Sequence, residues 1–173
     1  MIKRFHVLRI IAVFLLLALI LIPGSLVFAE GVTTVSISGP QEVNPGEQFT
    51  IDIQVEPGAE IAGVQFNLAF DSSLLTVDSV AEGNLLSQNG ASTYFSPGTI
   101  DNVSGDISGV AGAITTPGQV VSTSGTFAVI TLTASTSGGT STLTLSNVVV
   151  GDINGQPVQV NVVSGQVSIN PMP

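Results

Sequence analysis

Along most of the chain, apolar residues alternate with small or polar ones. The clearest run is Ile61-Ala-Gly-Val-Gln-Phe-Asn-Leu-Ala-Phe-Asp71, in which Val64, Phe66, Leu68 and Phe70 alternate with Gly63, Gln65, Asn67 and Ala69. A period of two puts the first set on one face of a strand and the second on the other. Such a strand builds a core with one side and presents the other outward, so this run is expected in the middle of a sheet. The same pattern predicts further strands over 33–38, 48–55, 74–80, 92–95, 106–114, 125–134, 140–150 and 158–169, the last bent near Ser164-Gly165.

Turn signals separate these runs. Asn44-Pro45-Gly46-Glu47, Pro57-Gly58, Pro97-Gly98, Pro117-Gly118, Ser137-Gly138-Gly139 and Asp152-Ile153-Asn154-Gly155 all fall between them. Proline presets φ at the second turn position, and glycine supplies the positive φ that several turns need. Asp71 is placed to cap the turn after its strand through its own carboxylate. Nine short strands at this spacing predict an all-β fold, a sandwich or a jelly roll.

The first residues follow a different rule. Lys3, Arg4, His6 and Arg9 precede an unbroken apolar run from Ile10 to Ile22, followed by Pro23-Gly24 and Val27-Phe28-Ala29. The run is shorter than the roughly 20 residues of a bilayer span. Residues 1–29 therefore read as a secretory signal cleaved after Ala29, with an uncleaved anchor as the alternative. Residues 30–173 form one domain, expected to be secreted and to lie outside the cell or at its surface.

Removing the leader changes the chemistry. It holds all three cationic side chains and the single His, so the formal charge goes from −9 to −12. Residues 30–173 contain no Lys, Arg, His, Cys or Trp. Nothing can neutralise phosphates, which excludes nucleic acid, and anionic membrane surfaces repel the domain. No disulfide or internal ion pair is available to hold the fold. The usual acid–base and nucleophilic groups are missing as well, so the chain is not expected to be an enzyme. A pair of carboxylates is the one catalytic option left, and it lacks the aromatic and cationic groups that hold a sugar.

The order of features resembles the cohesin domain, the secreted module that docks dockerin domains in cellulosomes. The resemblance is carried by Asn44-Pro-Gly-Glu47, by the 61–71 strand with Leu74-Leu75 after it, and by Gly125-Thr-Phe-Ala-Val-Ile-Thr-Leu132. Asp152-Ile-Asn-Gly-Gln-Pro-Val158 leading into Val162-Val-Ser-Gly-Gln-Val-Ser-Ile169 completes it. It extends from Val32 to Asn170. It implies a nine-stranded two-sheet β-sandwich with jelly-roll topology, and a docking platform on one exposed sheet built from the strands at 61–71, 92–95, 106–114 and 140–150. The outward positions there are Gly63, Gln65, Asn67, Tyr94, Ser108, Thr142 and Thr144. Cohesins often carry an acidic residue where Gln65 stands, and this face has no charge across it.

The implied partner is a dockerin-like module, in polysaccharide degradation or cell-surface assembly. A carbohydrate-binding module of the same sandwich fold, with polysaccharide as partner, is the alternative, as is a structural cell-surface module. Sugar platforms need flat aromatics, yet only Phe49, Phe66, Phe70, Tyr94, Phe95 and Phe127 remain, most at core positions. No cofactor is expected. Calcium is the one candidate ion, with Asp101-Asn102 and Asp106 as oxygen donors and no metal site assigned. Asp152-Ile-Asn-Gly155 resembles the start of an EF-hand, but its Gly comes two positions early, and a plain turn is the better reading. Asn102-Val-Ser104 is a glycosylation sequon. The run of small residues at Gly109, Ala111, Gly112 and Ala113 fits either a flat docking strand or tight packing between sheets.

Overall fold

The computed structural model describes residues 31–171. The leader expected over 1–29 lies outside them. The described chain contains β1 (Thr33–Ser38), β2 (Glu42–Val43), β3 (Gln48–Glu56), β4 (Gly63–Ala69), β5 (Leu75–Glu82), β6 (Thr93–Ser96) and β7 (Thr99–Asp101). β8 (Asp106–Ile114), β9 (Gly125–Ala134), β10 (Gly139–Gly151), β11 (Val160–Val163) and β12 (Gly165–Ile169) follow. One single-turn 3-10 helix, Gln88–Gly90, interrupts the series.

Two sheets form the sandwich. The first has strand order β11-β1-β3-β9-β5. The second runs β2-β12-β10-β4-β8-β6, with β7 also paired to β8. The all-β sandwich is as expected, but there are twelve strands rather than nine. β2 and β7 have only two and three residues, too few to show a period. The expected last strand divides at Ser164. β11 pairs parallel with β1 in the first sheet, and β12 pairs antiparallel with β10 in the second. The Ser164 hydroxyl accepts the Leu145 amide at 3.2 Å at this crossing.

The apolar positions of both sheets meet in one core. Phe66, Leu68, Ile51, Ile53, Ile130, Leu132 and Ile107 are all buried there. Phe66 and Phe95 each meet Phe127 edge to face, with ring centroids 6.0 and 5.8 Å apart. Burying one such ring stabilises the fold by about 1.5–3 kcal/mol. With no Lys, Arg or His among residues 31–171, this burial and the sheet ladders carry the stability.

The turns form as their residues dictate. Gly46 takes φ +75° while the Glu47 amide donates to the Asn44 carbonyl at 3.0 Å. The Glu47 carboxylate closes the turn by accepting the Asn44 amide and side chain. Asp71 accepts the amide and hydroxyl of Ser73, the cap expected from the sequence. The Asp71 amide donates to the buried Ser141 hydroxyl of β10 at 3.0 Å.

Candidate functional site

The outer side of β10-β4-β8-β6 is a broad exposed face, and register fixes which side chains stand together. Gly151, Gly63, Ala113 and Tyr94 lie in one cross-strand row. Val149, Gln65, Ala111 and Ser96 form the next. Ser146 lies beside Asn67, and Ser108 pairs with Thr99 of β7. Thr144, Ala69, Asp106 and Asp101 make the end row.

All seven residues singled out in the sequence lie on this side. Gln65, Tyr94, Thr142 and Thr144 are exposed, and Gly63, Asn67 and Ser108 are half-buried. Thr142 sits farthest from the rest, opposite Gln166 of β12. Tyr94 stands on the outer edge strand of the face and is 60% exposed. Among the described residues, the side chains of Gln65, Tyr94, Ser108, Thr142 and Thr144 make no hydrogen bond, although the Thr142 carbonyl accepts the Ser141 hydroxyl at 3.4 Å. Asn67 is engaged: its Oδ1 accepts the Gly109 amide at 2.9 Å.

That bond belongs to a β-bulge. The β4–β8 register shifts between Phe66 and Leu68, and Gly109 takes φ +71° with open space where a Cβ would stand. The small residues of β8 therefore divide between the two readings left open by the sequence. A Cβ on Gly112 would come within 2.9 Å of the Phe127 ring, so this glycine is needed for packing between the sheets. Ala111 and Ala113 pair with Gln65 and Gly63 and give the face a low floor.

Sequence alternation missed one member of the face. Strict alternation from Leu143 and Leu145 would carry Val149 inward. Instead the β10–β4 register shifts between Ser146 and Val149, with Asn147 at φ +49°. This bulge reverses the parity, buries Val150 and leaves Val149 47% exposed directly opposite Gln65. The available signal was Asn147, a residue type that tolerates the left-handed region.

Carboxylates gather only at the end row, where Asp101 and Asp106 are cross-strand partners. Asp101 Oδ1 accepts the amides of Val103 and Ser104, which holds its pKa below the ordinary aspartate value, Ser104 having the larger influence. Asn102 does not turn toward these carboxylates as a cation ligand. Its Oδ1 accepts the Val77 amide at 2.8 Å and its Nδ2 donates to the Val77 carbonyl at 3.0 Å. Asp152 accepts the Asn154 and Gln156 amides, and Gly155 takes φ +72°, so this segment is the plain turn. Among the described residues, no three His, Cys, Asp or Glu side chains come together in one group. A separate groove of about 630 Å³ opens at the crossing of the sheets, lined by Ile37, Pro40, Ile51, Leu143, Ser164 and Gln166 among others.

Two sheets packed face to face, one of them with a broad exposed side, define a β-sandwich of the jelly-roll class. The sequence model of the cohesin domain matches residues 33–169. The chain belongs to the cohesin domain family. Among curated proteins none matches it in sequence.

Solved structures resemble it in fold at low identity. The type I cohesin–dockerin complex Coh-OlpC-Doc435 from Clostridium thermocellum contains a chain 17% identical, with TM-score 0.67, covering 83% of this chain and 97% of that one. The cohesin CaCohA2 from Clostridium acetobutylicum is 18% identical with TM-score 0.65, covering 82% and 92%. A non-cellulosomal cohesin from the archaeon Archaeoglobus fulgidus is 20% identical with TM-score 0.61, covering 80% and 91%.

Proposed function

We propose that this cohesin domain is a secreted, non-catalytic docking module, and that a dockerin-like helical partner binds the outer face of β10-β4-β8-β6. The observation that carries the reading is the face itself. Val149 on β10 and Tyr94 on β6 stand as two large exposed side chains at its opposite sides. Between them Gly63, Ala111 and Ala113 form a low floor. Strands about 4.8 Å apart make the four-strand face roughly 14 Å wide from β10 to β6. A helix about 10 Å across fits on such a floor. Gln65 and Ser108 add hydrogen-bonding groups that no side chain in the domain uses.

Electrostatics fits the same partner. The domain has no cation among residues 30–173, so a partner bearing Lys or Arg meets no like charge anywhere on it. A second copy would meet only acids. Among the solved relatives, OlpC's cohesin is held in a cohesin–dockerin complex. The leader-like start of the chain supports delivery outside the cell. The carbohydrate-binding alternative draws less support, since Tyr94 is the one exposed aromatic side chain among the described residues.

Titration of the domain against purified dockerin modules, with and without calcium, tests the reading. The expected result is saturable binding to at least one of them, lost when the face is altered at Gln65. Absence of binding across the panel in both conditions overturns it.

A further inference from the structure

We propose that Asn102 is a positioning residue for the docking face: its carboxamide acts as a one-residue strand that clamps the β7–β8 hairpin of one sheet to the open edge of the other. The proposal rests on the docking reading above. β5 is the outermost strand of the first sheet, so one side of its backbone has no strand neighbour. An open edge of this kind leaves N–H and C=O groups unpaired. At Val77 both are taken up by the same side chain, at 2.8 Å to Asn102 Oδ1 and 3.0 Å from Asn102 Nδ2. A primary amide has the donor and acceptor of a peptide group side by side. Asn102 therefore substitutes for the missing ladder residue, which neither Asp nor Ser can do with both bonds intact.

The clamp comes from the turn that ends the docking face. That turn is tied down on its other side too: Phe70 donates its amide to the Gly105 carbonyl at 2.8 Å, and the Ser72 hydroxyl donates to the Val103 carbonyl at 3.1 Å. Gly105 is needed there, with φ +76° and the Phe70 carbonyl 2.2 Å from where a Cβ would stand. These ties hold the hairpin that carries Thr99 and Ser108, and they present Val103, 91% exposed, at its tip. The sequon residue Asn102 thus has a structural task in its unmodified form, with Nδ2 already engaged as a donor. Through it, the outermost rows of the face are referenced to the opposite sheet.

Asn102→Ala and Asn102→Asp separate the possibilities. Asp keeps an acceptor for the Val77 amide and loses the donor to the Val77 carbonyl. Gln54→Ala serves as control, because Gln54 donates a comparable hydrogen bond, 2.7 Å to the Thr126 hydroxyl, on the other sheet. Backbone amide NMR and hydrogen exchange on the whole domain are the first readout. In Asn102→Ala the Val77 amide is expected to exchange about tenfold faster or more, with shifted resonances at Thr99 and Ser108. Asn102→Asp is expected to shift Thr99 and Ser108 while keeping more of the Val77 protection, and it decides the matter if the alanine variant fails to fold. Affinity for whichever dockerin module binds the wild type is the second readout. It is expected to fall about tenfold in Asn102→Ala and to stay unchanged in Gln54→Ala. Unaltered Val77 protection, or unshifted Thr99 and Ser108 in both variants, overturns the clamp. An equal affinity loss in Gln54→Ala overturns it as well, since the effect would then be one of stability. If no dockerin binds the wild type, the docking reading fails, and the NMR result still decides whether Asn102 positions the hairpin.

Discussion

The two outer faces of this sandwich are both polar, yet they differ in what their polar groups do. On the first sheet several side chains are bonded to one another, whereas on the second the bonded pair Thr140–Ser168, at 3.0 Å, lies between β10 and β12, off the β10-β4-β8-β6 face. Asp78 accepts from Gln48 at 3.1 Å and from Thr133 at 2.7 Å, and Gln54 donates to Thr126 at 2.7 Å. On the second sheet Gln65, Tyr94, Ser108, Thr142 and Thr144 are left without such bonds, and the floor between them is Gly and Ala. A surface already satisfied by its own hydrogen bonds gains little from a partner, because each new bond must replace an existing one. A surface of short side chains with free donors and acceptors can be covered at smaller cost. What sets the proposed docking face apart is not polarity but unused hydrogen-bonding capacity beside exposed apolar side chains.

The largest expected effect removes the ground both faces share. Phe66→Ala takes away a buried ring that packs edge to face on Phe127. It should lower unfolding free energy in urea by about 3–5 kcal/mol and take dockerin binding with it. A loss under 1 kcal/mol would show that the core collapses around the gap.

Next comes a change confined to one face. Gln65→Arg places a long cation in the middle of the proposed interface while leaving the core untouched. It should weaken binding at least tenfold, through a charge desolvated without a partner, with stability within about 0.5 kcal/mol of wild type. Thr50→Arg, at an exposed position on the opposite sheet, is the matching change and should leave calorimetric affinity intact. Equal losses in both would erase the distinction between the faces.

Gln54→Ala sharpens the comparison from the other side. It breaks the bonded network of the first sheet and should cost about 1 kcal/mol of stability with no change in affinity. The smallest effect is acid sensitivity. Hydrogen bonds hold the carboxyls of Asp71, Asp101 and Asp152 below the ordinary aspartate range, led by the Ser73 side chain, the Ser104 amide and the Gln156 amide respectively. Groups with lowered folded pKa values stabilise the fold above the unfolded value and lose that contribution as pH falls through the folded one. Thermal stability should therefore be flat near neutrality and decline below about pH 4. Asp152→Asn should flatten part of that decline; an unchanged acid profile would mean the turn contributes nothing measurable.

Much of the sandwich was legible because β3 and β4 keep strict alternation, as does β9 from Ala128 onward, and a side-chain period of two specifies a face directly. The outward placement of Gln65 and Thr144 followed from that same rule, and that of Tyr94 from the family resemblance. Val149 did not, because a bulge inserts a residue and inverts every later position, while its only trace in the sequence is Asn147. Nor did the division at Ser164, since Val162, Val163 and Val167 read as one apolar run although they serve two sheets. The task of Asn102 was hidden for another reason: a side chain standing in for backbone leaves no periodic signature.

The strand exchange at Ser164 bears on when the fold can form. β11 lies against β1, the first strand of the described chain, and β12 lies against β10, so neither layer is complete until residues 160–169 are available. During synthesis, the earliest strand can pair with β3 but receives its second neighbour only among the last residues made. A polypeptide with such long-range closure folds late and slowly, so the two layers close only after nearly all of it has been made.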